Sequence, residues 1–336
     1  NPPRYLRLFE VIPTEKTSPE VVDFFMNYGD VYLGKQTVLA KDTPAFIGNR
    51  VGVYAMAKIY QLTTDLGLSI STVDKLTGPA IGRPKTGTYR LGDLVGHDTS
   101  AKVIAGIKEN CPDDEQAATF VVPKYMKFLL DNKFLGNKTG QGFYKKIKGP
   151  DGKRQVLELN LETLEYAEKQ RADLASLKLS KQIEVMPKRL QEFFKGGDAG
   201  AELVRRSLAG LFAYVSNRIP EIADDLFSID DAMTAGYAWD LGPFEYWDII
   251  GIQTGIEAAE AHGDTVADWV KDMIAAGHTS FYKREGGSLK YYDIASKSYK
   301  VKPGTESCVI VVKKSHRAPV LEKKKIKQHQ NRDGGR

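Results

Sequence analysis

A chain of 336 residues with 42% hydrophobic and 27% charged side chains has room for two domains and is too apolar to be wholly disordered. No apolar run reaches the ~20 residues that a membrane-spanning helix needs. Two cysteines, Cys111 and Cys308, cannot build a disulfide framework and suit a reducing, cytoplasmic compartment. The net charge of +5 is local: residues 313–336 hold nine Lys/Arg and two Asp/Glu, a net +7, and leave the other 312 residues with 39 basic and 41 acidic groups. A nearly neutral body argues against a nucleic-acid-binding domain, which presents a basic face. The tail has no aromatics among its charges and reads as a solvated linker.

The chain opens Asn1-Pro2-Pro3 with no signal segment, and it is expected to be cut from something longer. Residues 6–12 are compact, apolar and strand-like, with Glu10 in their midst. Thr17-Ser18-Pro19-Glu20 predicts a helix start, with Ser18 taking first-turn amides and Pro19 at the first helical position. Val21 to Gly29 continues that helix, and residues 37–40 form a second short strand. Strand–helix–strand over 1–41 is too little to bury its own core and suits the end of an α/β domain.

Residues 42–147 read as mostly helical. Thr43-Pro44 repeats the cap-plus-proline signal, and Phe46, Ile47, Val51, Tyr54, Ala55 and Ile59 recur near helical spacing. A second helix is predicted near Ser71 with Asp74 in its first turn, then Leu91 to Val95, then Tyr125 to Leu130. Residues 148–199 are expected to be a connection with one long helix over 159–177. Residues 200–301 read as a second copy of the first helical unit: the run Gly87 to Gly96 aligns with Gly242 to Gly251, Val73-Asp74 with Ile229-Asp230, and Phe143-Tyr144-Lys145 with Phe281-Tyr282-Lys283. Leu289 to Val301 alternates as a terminal hairpin, with Ser296-Lys297 near its turn. Residues 302–336 are the basic, flexible tail. Trp239, Phe244, Trp247 and Trp269 are expected in the core of the second unit.

Three segments in this order carry a resemblance: Asn1-Pro2 followed by a strand containing Glu10, Asp42-Thr43-Pro44-Ala45-Phe46-Ile47-Gly48-Asn49-Arg50, and Gly136-Asn137-Lys138-Thr139-Gly140-Gln141-Gly142-Phe143-Tyr144. Together, over roughly 1–290, they resemble the 3-hydroxyacyl-CoA dehydrogenase family. The fold class this implies is mainly α: the end of an α/β Rossmann-type domain, then two repeated all-helical C-terminal units. Two such units, with Gly82-Arg83-Pro84-Lys85-Thr86, look like the multifunctional enzymes that carry an enoyl-CoA hydratase after the dehydrogenase.

The resemblance implies oxidation of a (3S)-hydroxyacyl-CoA to 3-oxoacyl-CoA with NAD in fatty-acid β-oxidation. Glu10 matches the family's carboxylate that pairs with a catalytic histidine, and such a carboxylate fixes the imidazole's tautomer. Asn49 matches the residue that contacts the reacting oxygen, and Asn1 and Lys138 match positions near the cofactor. Arg50 is expected in a structural ion pair. Ala45 stands where the family has glycine.

The family's histidine position precedes Asn1, and His97, His262, His278, His316 and His329 have no such context; each is expected at the surface or a helix end. No Gly-x-Gly-x-x-Gly turn follows a strand, so the main NAD motif is missing and this chain alone is predicted inactive. No metal ligand set is expected. The implied partners are acyl-CoA, a second copy through the helical units and a fused hydratase region, with no nucleic acid and no membrane span. The rival reading is a non-catalytic helical dimerisation or acyl-CoA-binding module.

Overall fold

The computed structural model describes residues 4–149, 152–170, 172–285 and 287–305. Asn1, Cys308 and the basic tail from residue 306 onward lie outside the described residues.

The chain begins with β1 (Leu8–Val11), α1 (Pro19–Asn27) and β2 (Gln36–Leu39), the two strands pairing in parallel from Leu8 opposite Gln36 to Val11 opposite Leu39. Pro19 holds the first helical position, but the Ser18 side chain makes no capping bond to the helix. A single π-helical turn, Tyr28–Tyr32, extends α1. Phe24, Tyr28 and Tyr32 stack on one another and stay exposed, so α1 buries no residue.

The helical body follows with α2 (Gly48–Asp65), α3 (Ile70–Leu76), α4 (Tyr89–Val95), α5 (His97–Asn110) and α6 (Lys124–Asp131). After residue 143 the chain forms a three-stranded antiparallel sheet from β3 (Tyr144–Lys148), β4 (Arg154–Leu159) and β5 (Tyr166–Glu168). The long helix expected over 159–177 is therefore absent. Its leucines also read at strand spacing, and the Asn160 side chain decides between the two: Oδ1 accepts from the amides of Glu162 and Thr163, closing a turn after β4. Helix resumes with α7 (Ala175–Gln182) and α8 (Met186–Lys195).

The second helical stretch comprises α9 (Ala199–Asn217), α10 (Leu226–Gly236), α11 (Pro243–Ile250), α12 (Ile252–Glu260) and α13 (Asp268–Ala275). A sheet of β6 (Tyr282–Glu285), β7 (Ser288–Asp293) and β8 (Ser298–Val301) closes it. Trp239, Phe244 and Trp247 are buried, and Trp269 packs against the same core.

The long helices α2 and α9 lie at the centre. Tyr54 of α2 stacks flat on Tyr214 of α9 at 3.8 Å between centroids, and its hydroxyl donates to the Gly210 carbonyl. Beside them Arg50 is fully buried: Nη2 lies 2.7 Å from Asp114 and 2.9 Å from Glu221, and Nε donates to the Tyr214 hydroxyl. Arg218 adds bonds to Asp114, Glu115 and Glu221. Burial alone would lower the Arg50 pKa, but Tyr214, Asp114 and Glu221 more than reverse it.

Two sets of buried carboxylates organise the smaller helices. Asp74 lies beyond the first turn of its own α3 and caps α4 instead, accepting from the amides of Tyr89 (2.6 Å) and Arg90 (3.3 Å) and from the Tyr144 hydroxyl (2.6 Å). Asp230 in α10 accepts from the amides of Phe244 (2.9 Å) and Glu245 (3.2 Å) and from the Tyr282 hydroxyl (2.9 Å). Asp93 takes the amides of Phe143 and Tyr144, and Asp248 takes those of Phe281 and Tyr282. Gly87 and Gly242 allow the close approach: a Cβ on either would fall within 2.5 Å of Asp74 or Asp230.

Burial raises Asp74 and Asp248 from 3.8 to about 7, with their backbone hydrogen bonds opposing it. A carboxyl whose pKa is higher folded than unfolded contributes stability that is fully present below 3.8 and is lost as pH rises through about 7. Wild type should therefore lose stability relative to Asp248→Asn as pH rises from 4 to 7, measured by urea unfolding; a relative gain by wild type would contradict this ionisation.

Candidate functional site

Glu10 is the third residue of β1, and its side chain meets the start of α2. Oε1 accepts from the amides of both Ile47 and Gly48 at 2.9 Å. These are first-turn donors that a helix leaves unpaired, and the positive end of the helix dipole favours an anion there. Burial raises the Glu10 pKa, while the Gly48 and Ile47 amides work against it. Oε2 has no hydrogen-bond partner among the described residues, so one face of the carboxylate is held and the other is open to a donor.

The clamp depends on the backbone just before α2. Thr43-Pro44 announces a helix, yet α2 begins only at Gly48, because Ala45 and Phe46 adopt φ of 65° and 50°. Left-handed backbone is costly for residues with a Cβ. Ala45 stands where the resemblance has glycine, which is the residue this φ favours. Ala45→Val should cost about 1–3 kcal/mol of stability, since a β-branched side chain is worst at positive φ. Urea unfolding measures it; an unchanged midpoint would mean that the turn relaxes.

Asn49 is the second residue of α2 and is exposed, one residue beyond the Gly48 amide that holds Glu10. Asn49 thus follows directly on the residue whose amide holds Glu10. Lys138 sits elsewhere: its ammonium pairs with both oxygens of Asp98 in the first turn of α5, the longer contact being 2.7 Å, and makes none with Glu10 or Asn49. Burial of the histidines varies. His97 does open α5, but it is fully buried, with Nε2 3.0 Å from Asp93 and its ring edge on Phe143. That burial was not expected, and it follows from the close wall of Asp93 and Phe143. His262 lies beside Glu202, and His278 packs on Tyr292 and Tyr299.

Among the described residues, the helix of the β–α–β unit is not built as a pyrophosphate cradle for NAD. The helix of its β–α–β unit starts with Pro19, which has no amide hydrogen, and carries Glu20 in its first turn. Both features oppose a phosphate at that helix end. No group of three or more His, Cys, Asp or Glu placed to hold a metal ion exists among the described residues. No helix of the described residues is long and apolar enough to cross a membrane.

Comparison with known proteins gives this geometry a family. Residues 46–146 match the family model described as 3-hydroxyacyl-CoA dehydrogenase, C-terminal domain. This stretch thus matches a 3-hydroxyacyl-CoA dehydrogenase C-terminal domain. A Bacillus subtilis (strain 168) protein named a probable 3-hydroxyacyl-CoA dehydrogenase is 38% identical over 87% of this chain and 36% of its own length. A Deinococcus radiodurans protein of the same name is 45% identical over 44% of this chain and 42% of its own length. A Rickettsia felis protein, named as a fatty acid oxidation complex trifunctional enzyme, is 28% identical over 73% of this chain and 32% of its own length. The chain thus spans well under half of these relatives. Crystalline 3-hydroxybutyryl-CoA dehydrogenase of Escherichia coli superposes with a TM-score of 0.60 over 82% of this chain and 70% of that chain, at 18% identity, a likeness of fold.

The dehydrogenase resemblance pointed to Glu10 and Asn49 but not to the amides of Ile47 and Gly48. The alanine at a glycine position was the one signal in the sequence that this backbone is unusual.

Proposed function

We propose that this chain is the C-terminal portion of an NAD-dependent 3-hydroxyacyl-CoA dehydrogenase of fatty-acid β-oxidation. In this reading Glu10 is a positioning residue. Its Oε1 is anchored on the Ile47 and Gly48 amides, and its open Oε2 accepts the N–H of a catalytic imidazole supplied from outside the described residues. That imidazole takes the proton of the substrate's 3-hydroxyl. Asn49, exposed beside the clamp, donates its amide hydrogen to the same oxygen. The half-buried carboxylate at the α2 N-terminus, with one oxygen held and the other open, carries this reading. Two backbone donors fix one oxygen in place, which leaves the other in a set position to accept from an imidazole.

The two sets of carboxylate bonds support a duplicated helical unit. Asp74 with Tyr89, Arg90 and Tyr144 parallels Asp230 with Phe244, Glu245 and Tyr282, and Asp93 parallels Asp248. The units we infer are 42–147 and 200–301, joined by 148–199, with 1–41 the remnant of a dinucleotide-binding domain. Residues of both units would wall an acyl-CoA cleft, and the full-length protein would be cytoplasmic, dimeric and fused to a hydratase region. The trifunctional name of the Rickettsia relative favours the fusion.

The reading is tested by assaying NADH formation from (3S)- and (3R)-hydroxyacyl-CoA with the full-length protein and with the 336-residue chain. Turnover of the (3S) substrate by the full-length protein alone is expected. No turnover by the full-length protein, or equal turnover by the chain, would overturn it.

A further inference from the structure

A cleft of about 640 Å³ opens between α3, the turn after it, β3 and α7, and shares no residue with the Glu10 clamp. Six cationic side chains line it: Lys75, Lys85, Arg90, Lys169, Lys181 and Arg189. Two carboxylates, Asp74 and Glu184, share the wall. Asp74 is already committed to the Tyr89 and Arg90 amides, the Tyr144 hydroxyl and, at 3.8 Å, the Arg90 guanidinium. Arg189 spends its donors on the carbonyls of Pro79, Ala80 and Ile183, which fix its position without neutralising it. Lys75, Lys85, Lys169 and Lys181 have no carboxylate within ion-pair distance among the described residues.

Like charges gathered this way repel unless an anion joins them. Arg90 and Lys169 lie over the same Tyr144 ring, at 4.3 and 5.4 Å from its centroid. The Lys169 pKa is lowered by burial first and then by Arg90, with Glu158 opposing. At the floor Ser71 is 5% exposed, and its hydroxyl has no partner among the described residues.

A second hollow of about 330 Å³ adjoins the cleft, and the two share Ser180, Ile183 and Arg189 in their walls. Leu179, Ile183 and Phe193 contribute to its wall, and Leu179 is 37% exposed there. We propose that the cationic cleft binds a phosphate-bearing ligand whose apolar part occupies this adjoining chamber. The charge excess suits an anion carrying more than one negative charge, and an ammonium recognises phosphate as a point charge without demanding a planar partner. The site is independent of the dehydrogenase reading.

Calorimetric titration of the 336-residue chain tests it, with inorganic pyrophosphate as the first probe and octyl phosphate against inorganic phosphate as the second. Pyrophosphate binding should weaken at least ten-fold in Lys169→Ala/Lys181→Ala and should fall with added salt. Octyl phosphate should bind more tightly than inorganic phosphate, and Leu179→Ser should remove most of that gain while leaving pyrophosphate binding unchanged. ADP and coenzyme A carry the same diphosphate on different larger parts, and the tighter of the two names the source. All three changed positions, Lys169, Lys181 and Leu179, are exposed, and thermal melting checks that the variants fold. Equal pyrophosphate affinity in wild type and the double lysine variant, or no binding at all, would overturn the site. Equal affinity for octyl phosphate and inorganic phosphate would overturn the role of the chamber.

Discussion

Glu10→Gln in the full-length protein is expected to lower kcat by about 10²–10⁴-fold, with NAD affinity nearly unchanged. The substitution keeps the shape of the side chain. Its amide oxygen can still accept from Ile47 and Gly48, both 2.9 Å from Oε1, so the start of α2 stays capped. What changes is the open face, where an N–H₂ donor replaces an acceptor. An imidazole N–H that was bonded there loses its partner, its preferred tautomer and the stabilisation of its protonated form. Stability should remain near that of wild type, because the buried charge is removed along with the favourable dipole term. A kcat within a few-fold of wild type would remove Glu10 from the mechanism.

Arg50→Met is expected to cost about 3–5 kcal/mol of stability. Arg50 and Asp114 side chains are both 0% exposed, and the guanidinium also bonds Tyr214 and Glu221. Taking away the cation leaves Asp114 with Arg218 and Tyr214 but lowers the positive charge facing two carboxylates. An uncompensated buried carboxylate is the costly outcome, so Arg50→Met/Asp114→Leu should recover part of the loss. Urea unfolding of both variants measures this, and a single-variant loss under about 1 kcal/mol would mean that Arg218 carries the cluster alone.

The first forty residues were legible because their signals are local. Pro19 sits at the first helical position of α1, where its missing amide hydrogen costs nothing, and the two short apolar runs pair as strands. The carboxylate of Glu10 was legible for the opposite reason, as a misfit in an apolar strand. The amides that receive it were not, because the φ of Ala45 and Phe46 is imposed by packing rather than by their own preferences. The helix expected over 159–177 was misread since leucine spacing serves both periods, and the Asn160 side chain instead closes a turn between β4 and β5. Asp74 was expected as a first-turn acid of a helix starting near Ser71, yet it lies past the first turn of α3 and its partners are fifteen residues or more away, on α4 and β3. No local signal carries that distance. The aligned glycines Gly87 and Gly242 did hint at it, because each leaves room for the aspartate beside it.

The pH dependence of kcat/KM, compared between the full-length wild type and Glu10→Gln, tests the positioning role most directly. A carboxylate beside an imidazole raises the imidazole's pKa, and in the oxidation direction the base must be neutral, so activity rises with pH through that pKa. The acidic limb is predicted to move to lower pH in the variant as the activity falls. A limb that stays at the same pH would mean that no imidazole shares the open oxygen of Glu10.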